Sequence, residues 1–252
     1  MKKKRPSIVP IVIFFSLVVV VASLIAAASE WAEYTGLTKI QSIQFTGAQL
    51  LPSEEYERSL QPLLGVPLKE IDLNDVRLLL EAHPFIKATR VSRHYPSTLR
   101  VEIRERQPIA MLNLKPILFV DSEGVILPDM GLSDNLLLPC LSGFNPTPEL
   151  YPPGHETVSQ KVQESVRLMN QIMAVAPALY NNLSEILLNN HDEYVFVLSE
   201  YPTRIVIGRD NVWEKIKLLN AFENAIGGPR NLSQYRYLDL RYENQIVARE
   251  RA

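Results

Sequence analysis

The chain has 252 residues, 28 acidic and 26 basic, for a formal net charge of −2. That length holds one large domain or two small ones, and 46% hydrophobic with 21% charged residues excludes both a disordered chain and a many-spanning membrane protein. A near-neutral balance gives no electrostatic ground for binding nucleic acid. The single Cys140 excludes a disulfide framework or Cys-rich zinc site, and four His leave little material for a His-based one.

The N-terminus differs from the rest. Lys2, Lys3, Lys4 and Arg5 are the only charges among residues 1–28; removing them leaves 22 basic residues against all 28 acids. Residues 8–28 carry no charge. As a helix they would measure roughly 31 Å, about the thickness of a bilayer's hydrocarbon layer. The basic cluster before them predicts a cytoplasmic tail over 1–7, a transmembrane helix over 8–28 and an exported body. Trp31 and Tyr34 follow, where amphipathic rings suit the far interface. The competing reading is a cleaved signal peptide, with Ala26-Ala27-Ala28 as a small-residue cleavage site. The apolar run is longer than the usual signal core of about 7–15 residues.

After a linker over 29–37, the pattern predicts a first domain over 38–107. Ile43 and Phe45 alternate with Gln44 as in a strand, ended by Thr46-Gly47. Ser53 is placed to cap a helix with Tyr56, Leu60 and Leu63/Leu64 on its apolar face. Gly65-Val66-Pro67 breaks it. Asp72 is placed to cap a second helix striped by Val76, Leu79 and Leu80, closed by His83-Pro84. Strands over Ile86–His94 and Thr98–Glu105 follow. In the latter, Leu99, Val101 and Ile103 face one way, and Arg100, Glu102 and Arg104 the other. The order is β-α-α-β-β, with both helices covering one sheet face.

The second domain is predicted over 108–252. Strands are expected over 109–114 and 117–120, then a hairpin through Asp121-Ser122-Glu123-Gly124 into 125–127. An apolar run over 136–141 places Cys140 in the core. A helix over 157–175 carries Val162, Val166, Met169 and Met173, stopped by Pro177. Strands over 183–188, 194–198 and 203–207 precede a helix capped by Asp210 or Asn211. It carries Trp213, Ile216, Leu219, Phe222 and Ile226 and stops at Gly227-Gly228. Residues 235–249 read as one long strand or a bent pair. Leu238, Leu240 and Tyr242 point one way, and Tyr237, Asp239 and Arg241 the other. The fold class is α+β: a transmembrane helix, a β-α-α-β-β domain, and a mixed β-sheet domain with two helices.

Few residues suggest chemistry. No G-x-S-x-G elbow and no P-loop occurs. His155-Glu156-Thr157-Val158-Ser159 opens like a metalloprotease helix but has Ser where the second His ligand belongs. Glu102 and Glu105 could pair as a glycosidase needs, but Arg100, Arg104 and Arg106 around them point to ion pairs on an exposed face. Cys140 has no associated base. No catalytic, metal or cofactor site is expected, and the prior moves toward a binding protein.

The arrangement resembles the bacterial cell-division family FtsQ/DivIB. The resemblance rests on residues 83–88 (His-Pro-Phe-Ile-Lys-Ala), 93–99 (Arg-His-Tyr-Pro-Ser-Thr-Leu) and 102–108 (Glu-Ile-Arg-Glu-Arg-Gln-Pro), similar to the end of the family's POTRA domain. Residues 120–125, 207–208, 213–216 and 237–242 (Tyr-Leu-Asp-Leu-Arg-Tyr) extend it. It implies a non-enzymatic scaffold of the division septum in the bacterial inner membrane, N-terminus cytoplasmic. It also implies partners similar to FtsB and FtsL and to other divisome components, including the septal peptidoglycan synthesis machinery. The family's partner-binding region falls on Tyr237, Asp239, Arg241, Tyr242, Gln245 and Val247. A last strand with an open edge suits a partner strand; alternatively Asp239 and Arg241 form only an intramolecular pair. Arg90, Arg93 and Arg100 suggest a basic recruitment face on the POTRA domain, or simply a solvated strand face. The rival function is an anchored POTRA-type assembly factor for envelope proteins. The chain ends soon after Arg249, so no function of a long tail is expected.

Overall fold

The structure is a computed structural model that describes residues 9–226, 232–242 and 245–251. The basic cluster at 2–5 and the Gly227-Gly228 helix stop lie outside those residues. The first element, α1 (Val9–Tyr34), contains a 19-residue apolar stretch, Ile13–Trp31, none of it buried by protein. That stretch is long and apolar enough to cross a membrane. Ser16, Ser23 and Ser29 each donate a hydroxyl hydrogen bond to a carbonyl three or four residues back, so their polar groups are satisfied within the helix. The helix continues past Ala28 to Tyr34; the first residue suited to end it is Gly36, at φ 72°.

The chain divides into two compact units. The first contains β1 (Ser42–Thr46), α2 (Ser53–Glu57), α3 (Leu73–Glu81), β2 (Ile86–His94) and β3 (Thr98–Glu105). The sheet order is β1-β3-β2, with β1 parallel to β3 from Ser42↔Thr98 to Thr46↔Glu102. Both strands after the helices match their predicted bounds. Leu99, Val101 and Ile103 are buried, as are Tyr56, Leu60, Val76 and Leu80 from the helical side. Gly47 is required: at φ 97°, a Cβ there would lie 2.0 Å from the Ile103 carbonyl oxygen.

The first helix is shorter than expected. α2 passes into a 3-10 turn over Arg58–Leu63 that contains Pro62, and Pro52, not Ser53, holds the cap position. Leu64 falls off the apolar face and is 49% exposed, as is Leu79. The Asp72 cap is present: its Oδ1 accepts from the Asn74 amide at 2.8 Å.

The second unit contains β4 (Pro108–Leu112), β5 (Leu118–Asp121), β6 (Ile126–Pro128), β7 (Cys140–Ser142), α4 (Gln160–Val175), α5 (Pro177–Asn181), β8 (Leu183–Leu188), β9 (Tyr194–Leu198), β10 (Arg204–Gly208), α6 (Val212–Ile226), β11 (Tyr235–Asp239) and β12 (Val247–Glu250). Its nine-stranded sheet runs β12-β11-β10-β9-β8-β7-β4-β5-β6. The β7–β8 and β10–β11 pairs are parallel. Parallel neighbours need a crossover, and the helices occupy those two connections: α4 and α5 the first, α6 the second. One core joins Val162, Val166, Met169 and Ile172 of α4 and Ile216 and Leu219 of α6 to Ile186, Phe196, Ile205 and Leu238 of the sheet. Ser159 caps α4 by accepting from the Val162 amide at 3.4 Å.

Three expectations change here. Pro177 opens a further short helix rather than only stopping α4. The apolar run at 136–141 yields only the three-residue β7, in which Leu141 is 1% exposed while Cys140 is partly exposed. Alternation along a strand sends neighbours to opposite faces, so Cys140 points away from the core that takes Leu141. Glu105, expected on an exposed face with Glu102, is 5% exposed. Arg106 instead pairs with the buried Asp121 and with Glu123, both at 2.8 Å. Asp121 Oδ1 also accepts from the amides of Glu123 (2.8 Å) and Val125 (2.9 Å), which shapes the predicted hairpin turn.

Candidate partner-binding edge

The sheet ends on β12, which pairs antiparallel with β11 from Tyr235↔Glu250 to Asp239↔Val247. The long terminal segment is thus a bent pair. β12 is last in the strand order and all four of its residues are exposed. Among the described residues no strand pairs with its outer edge, which therefore offers main-chain groups, as an edge strand does. The far end of the pair is pinned. Buried Thr203 donates its hydroxyl to the Tyr235 carbonyl at 2.6 Å, the Arg251 amide donates to Gln234 O at 2.9 Å, and the Arg251 guanidinium lies 5.5 Å from the Tyr201 ring centroid.

At the near end a polar network holds the chain as it leaves β11. Asp239 is 3% exposed. Its carboxylate accepts from Arg241 Nε (3.0 Å), Arg241 Nη2 (2.7 Å), the Arg241 amide (3.0 Å) and the Tyr237 hydroxyl (2.8 Å). Burial pushes this carboxyl up, but the bonds from Arg241 and Tyr237 outweigh it and hold it below the ordinary carboxylate range. The same pairing with Asp239 raises the Arg241 guanidinium. Arg241 Nη1 also reaches Glu193 Oε1 at 3.4 Å. Glu193 is lowered, first by the hydrogen bond from Asn189 and then by Arg241. Gly208, at φ 85°, lets Arg241 and Lys215 converge: a Cβ would meet Arg241 Cγ at 3.1 Å and Lys215 Nζ at 3.2 Å.

The predicted residues separate accordingly. Tyr242 is 56% exposed and Val247 48% exposed, and Gln245 is exposed between them. Tyr242 does not continue the core face of Leu238 and Leu240, because β11 ends at Asp239. Arg241 is partly exposed, with Asp239 and Tyr237 beneath it as its support. The intramolecular pair is therefore present, and Asp239 does not reach the surface. Glu243 lies outside the described residues. Glu193, just before β9, and Gly208, the last residue of β10, are not among the expected residues; no local pattern ties them to the terminal segment.

The basic face on the first unit does not assemble as predicted. Arg93 donates through Nε to the Leu68 carbonyl at 2.9 Å and through Nη2 to the Ile71 carbonyl. Arg90 is 80% exposed and stands 4.0 Å from Glu102. Positions 90 and 93 of one strand are an odd number apart and take opposite faces, so Arg93 leaves the group. Among the described residues no group of three or more His, Cys, Asp or Glu is placed to hold a metal ion.

Two family models cover nearly all of the chain beyond α1. Residues 38–106 match the POTRA domain, FtsQ-type, and residues 108–249 match FtsQ/DivIB, C-terminal related. The chain belongs to the FtsQ/DivIB family. It is similar to proteins named Cell division protein FtsQ from Myxococcus fulvus (23% identical, 88% of this chain and 77% of that protein), Anaeromyxobacter sp. strain K (26%, 84% and 71%) and Rhodothermus marinus (25%, 92% and 84%). The relatives are named as cell-division proteins, and neither family description indicates an enzyme family. With its apolar helix α1, this FtsQ/DivIB chain is a single-pass membrane division protein.

Proposed function

We propose that this FtsQ/DivIB chain is a non-enzymatic divisome scaffold that captures a single-span partner of the FtsB or FtsL kind along β12. The open outer edge of β12 carries this reading. A partner strand added there would gain main-chain hydrogen bonds, with exposed side chains such as Tyr242 and Val247 supplying selectivity. Through such partners the protein would help control septal peptidoglycan synthesis. Residues 1–7 would stay cytoplasmic and both units would lie across the inner membrane at the septum. In the first unit, Arg90 and Arg100 remain the candidate recruitment face.

The test is co-purification of the full chain with the FtsB- and FtsL-like proteins of the same cell. Tyr242→Ala and Val247→Asp, both on exposed positions, should each weaken capture at least about tenfold, the effect of a lost ~1.4 kcal/mol. Undiminished capture by the double variant would reject β12 as the interface. A fluorescent fusion at the N-terminus that never gathers at midcell would reject the septal role itself.

A further inference from the structure

The first unit has one end that the membrane span cannot let go far. Trp31 closes the apolar stretch, α1 continues to Tyr34, and Gly36 turns the chain. Three helical residues rise about 5 Å. The four residues from Tyr34 to Thr38 reach at most about 14 Å. Each headgroup layer is itself roughly 5–8 Å thick. Thr38 therefore lies within about 20 Å of the Trp31 level, much of that span being headgroup.

Two further loops are tied to this short segment. The Leu68 amide donates to Thr38 O, the Gly65 amide to Ile40 O, and the Gln41 amide to Ser97 O, each at 2.9 Å. These bonds bring the loop after the 3-10 turn and the β2–β3 turn beside the point where the chain leaves the span. Each carries an apolar side chain in solvent: Leu64 is 49% exposed, Tyr95 65%, and Leu37 on the segment itself 44%. Lys39 folds back over Gly36, with Cδ 3.5 Å from where a Cβ would stand. A Tyr beside aliphatic side chains and a Lys bent toward the span suits the water–lipid interface. The three exposed side chains are uncharged, so apolar contact carries the attraction.

We infer that Leu37, Leu64 and Tyr95 form a membrane-contacting rim by which the POTRA domain rests on the headgroup layer beside its own anchor. The occupant is lipid, continuous with the bilayer that holds α1. The contact restricts how far the domain can swing, because the rim and the span are only a few residues apart. This inference rests on α1 being retained as a membrane span.

The experiment uses the full chain with Cys140→Ser, reconstituted at high dilution in vesicles of zwitterionic lipid. Single spin labels are placed at Leu64→Cys, Tyr95→Cys, Arg104→Cys and Val19→Cys. Labels at 64 and 95 should respond to a lipid-dissolved relaxant, insensitively to salt, whereas the label at 104 should respond only to a water-soluble one. The substitutions Leu37→Ser and Tyr95→Ser should remove the response at 64 while circular dichroism stays unchanged. Labels at 64 and 95 that see only the aqueous relaxant, with 19 deep in lipid, would overturn the rim and leave the anchor intact. Shielding of 64 and 95 from both relaxants would mean that protein covers them, which also overturns it. A label at 19 outside the lipid would instead refute the retained span.

Discussion

Asp239→Asn removes the charge under Arg241 while keeping the side chain's shape. In the native protein the carboxylate accepts from three N–H groups of Arg241 (the amide, Nε and Nη2) and from the Tyr237 hydroxyl. Hydrogen bonds to charged groups contribute about 1.5–3 kcal/mol each. The three from Arg241 overlap, its side chain is 43% exposed, and Asn retains part of the geometry. A total loss of ~2–3 kcal/mol follows, or roughly 5–10 °C in a domain of this size. The assay is thermal and urea unfolding of the full chain in detergent across pH. Because the folded carboxyl titrates below its ordinary value, its contribution is complete above the unfolded pKa of about 3.9. It is lost as pH falls through the lower folded pKa. The stability gap between native and variant should be constant from about pH 8 to 5 and close below about pH 4. A gap under ~0.5 kcal/mol at neutral pH, or one that widens on acidification, would refute the role given to Asp239. A variant that keeps its stability yet loses partner capture would show that Asp239 acts at the surface after all.

Other substitutions read other parts of the argument. Gly143 stands at φ 82° with the Leu188 carbonyl oxygen 2.0 Å from a built Cβ, so Gly143→Ala should destabilise the second unit by more than about 2 kcal/mol in urea unfolding. Met169 is fully buried between α4 and the sheet; Met169→Ala should cost ~2–5 kcal/mol by the same assay. Arg93→Ala, which frees two loop carbonyls, should cost ~1–2 kcal/mol, whereas Arg90→Ala should stay within ~0.5 kcal/mol. Equal effects from the two arginines would argue against the division of roles between them.

Part of the candidate site was legible before any fold was known. The Tyr237-to-Tyr242 motif lies where the last strand pair begins, and residue types enriched in binding hot spots sit there. Which of them meet solvent was not legible. Asp239 and Arg241 share a parity, yet one is buried and the other partly exposed, because β11 ends between them. Glu193 lies 48 positions from Arg241; no local pattern reports a pair that only sheet order creates. The three arginines of the POTRA strands show the opposite case. Strand parity already separates Arg90 from Arg93, so their shared charge does not make a shared face.

The amino-acid sequence by itself determined the features that depend on near neighbours. These are the apolar span, the alternation of Thr98–Glu105, the Asp72 cap, and the stripe of α4 that makes Val162, Val166 and Met169 core residues. Each follows from periodicity or from a side chain bonding its own backbone. Only the tertiary structure decided what depends on strand order and on where each strand stops. It joined β7 to β8 and β10 to β11 in parallel across their helices, left β12 as the open edge, and set Arg241 over Asp239 beside Glu193. It also gathered Leu37, Leu64 and Tyr95 at the end of the domain nearest the span. Such contacts close loops of tens of residues, and their free energy is shared over the whole sheet, so no short window of sequence carries them.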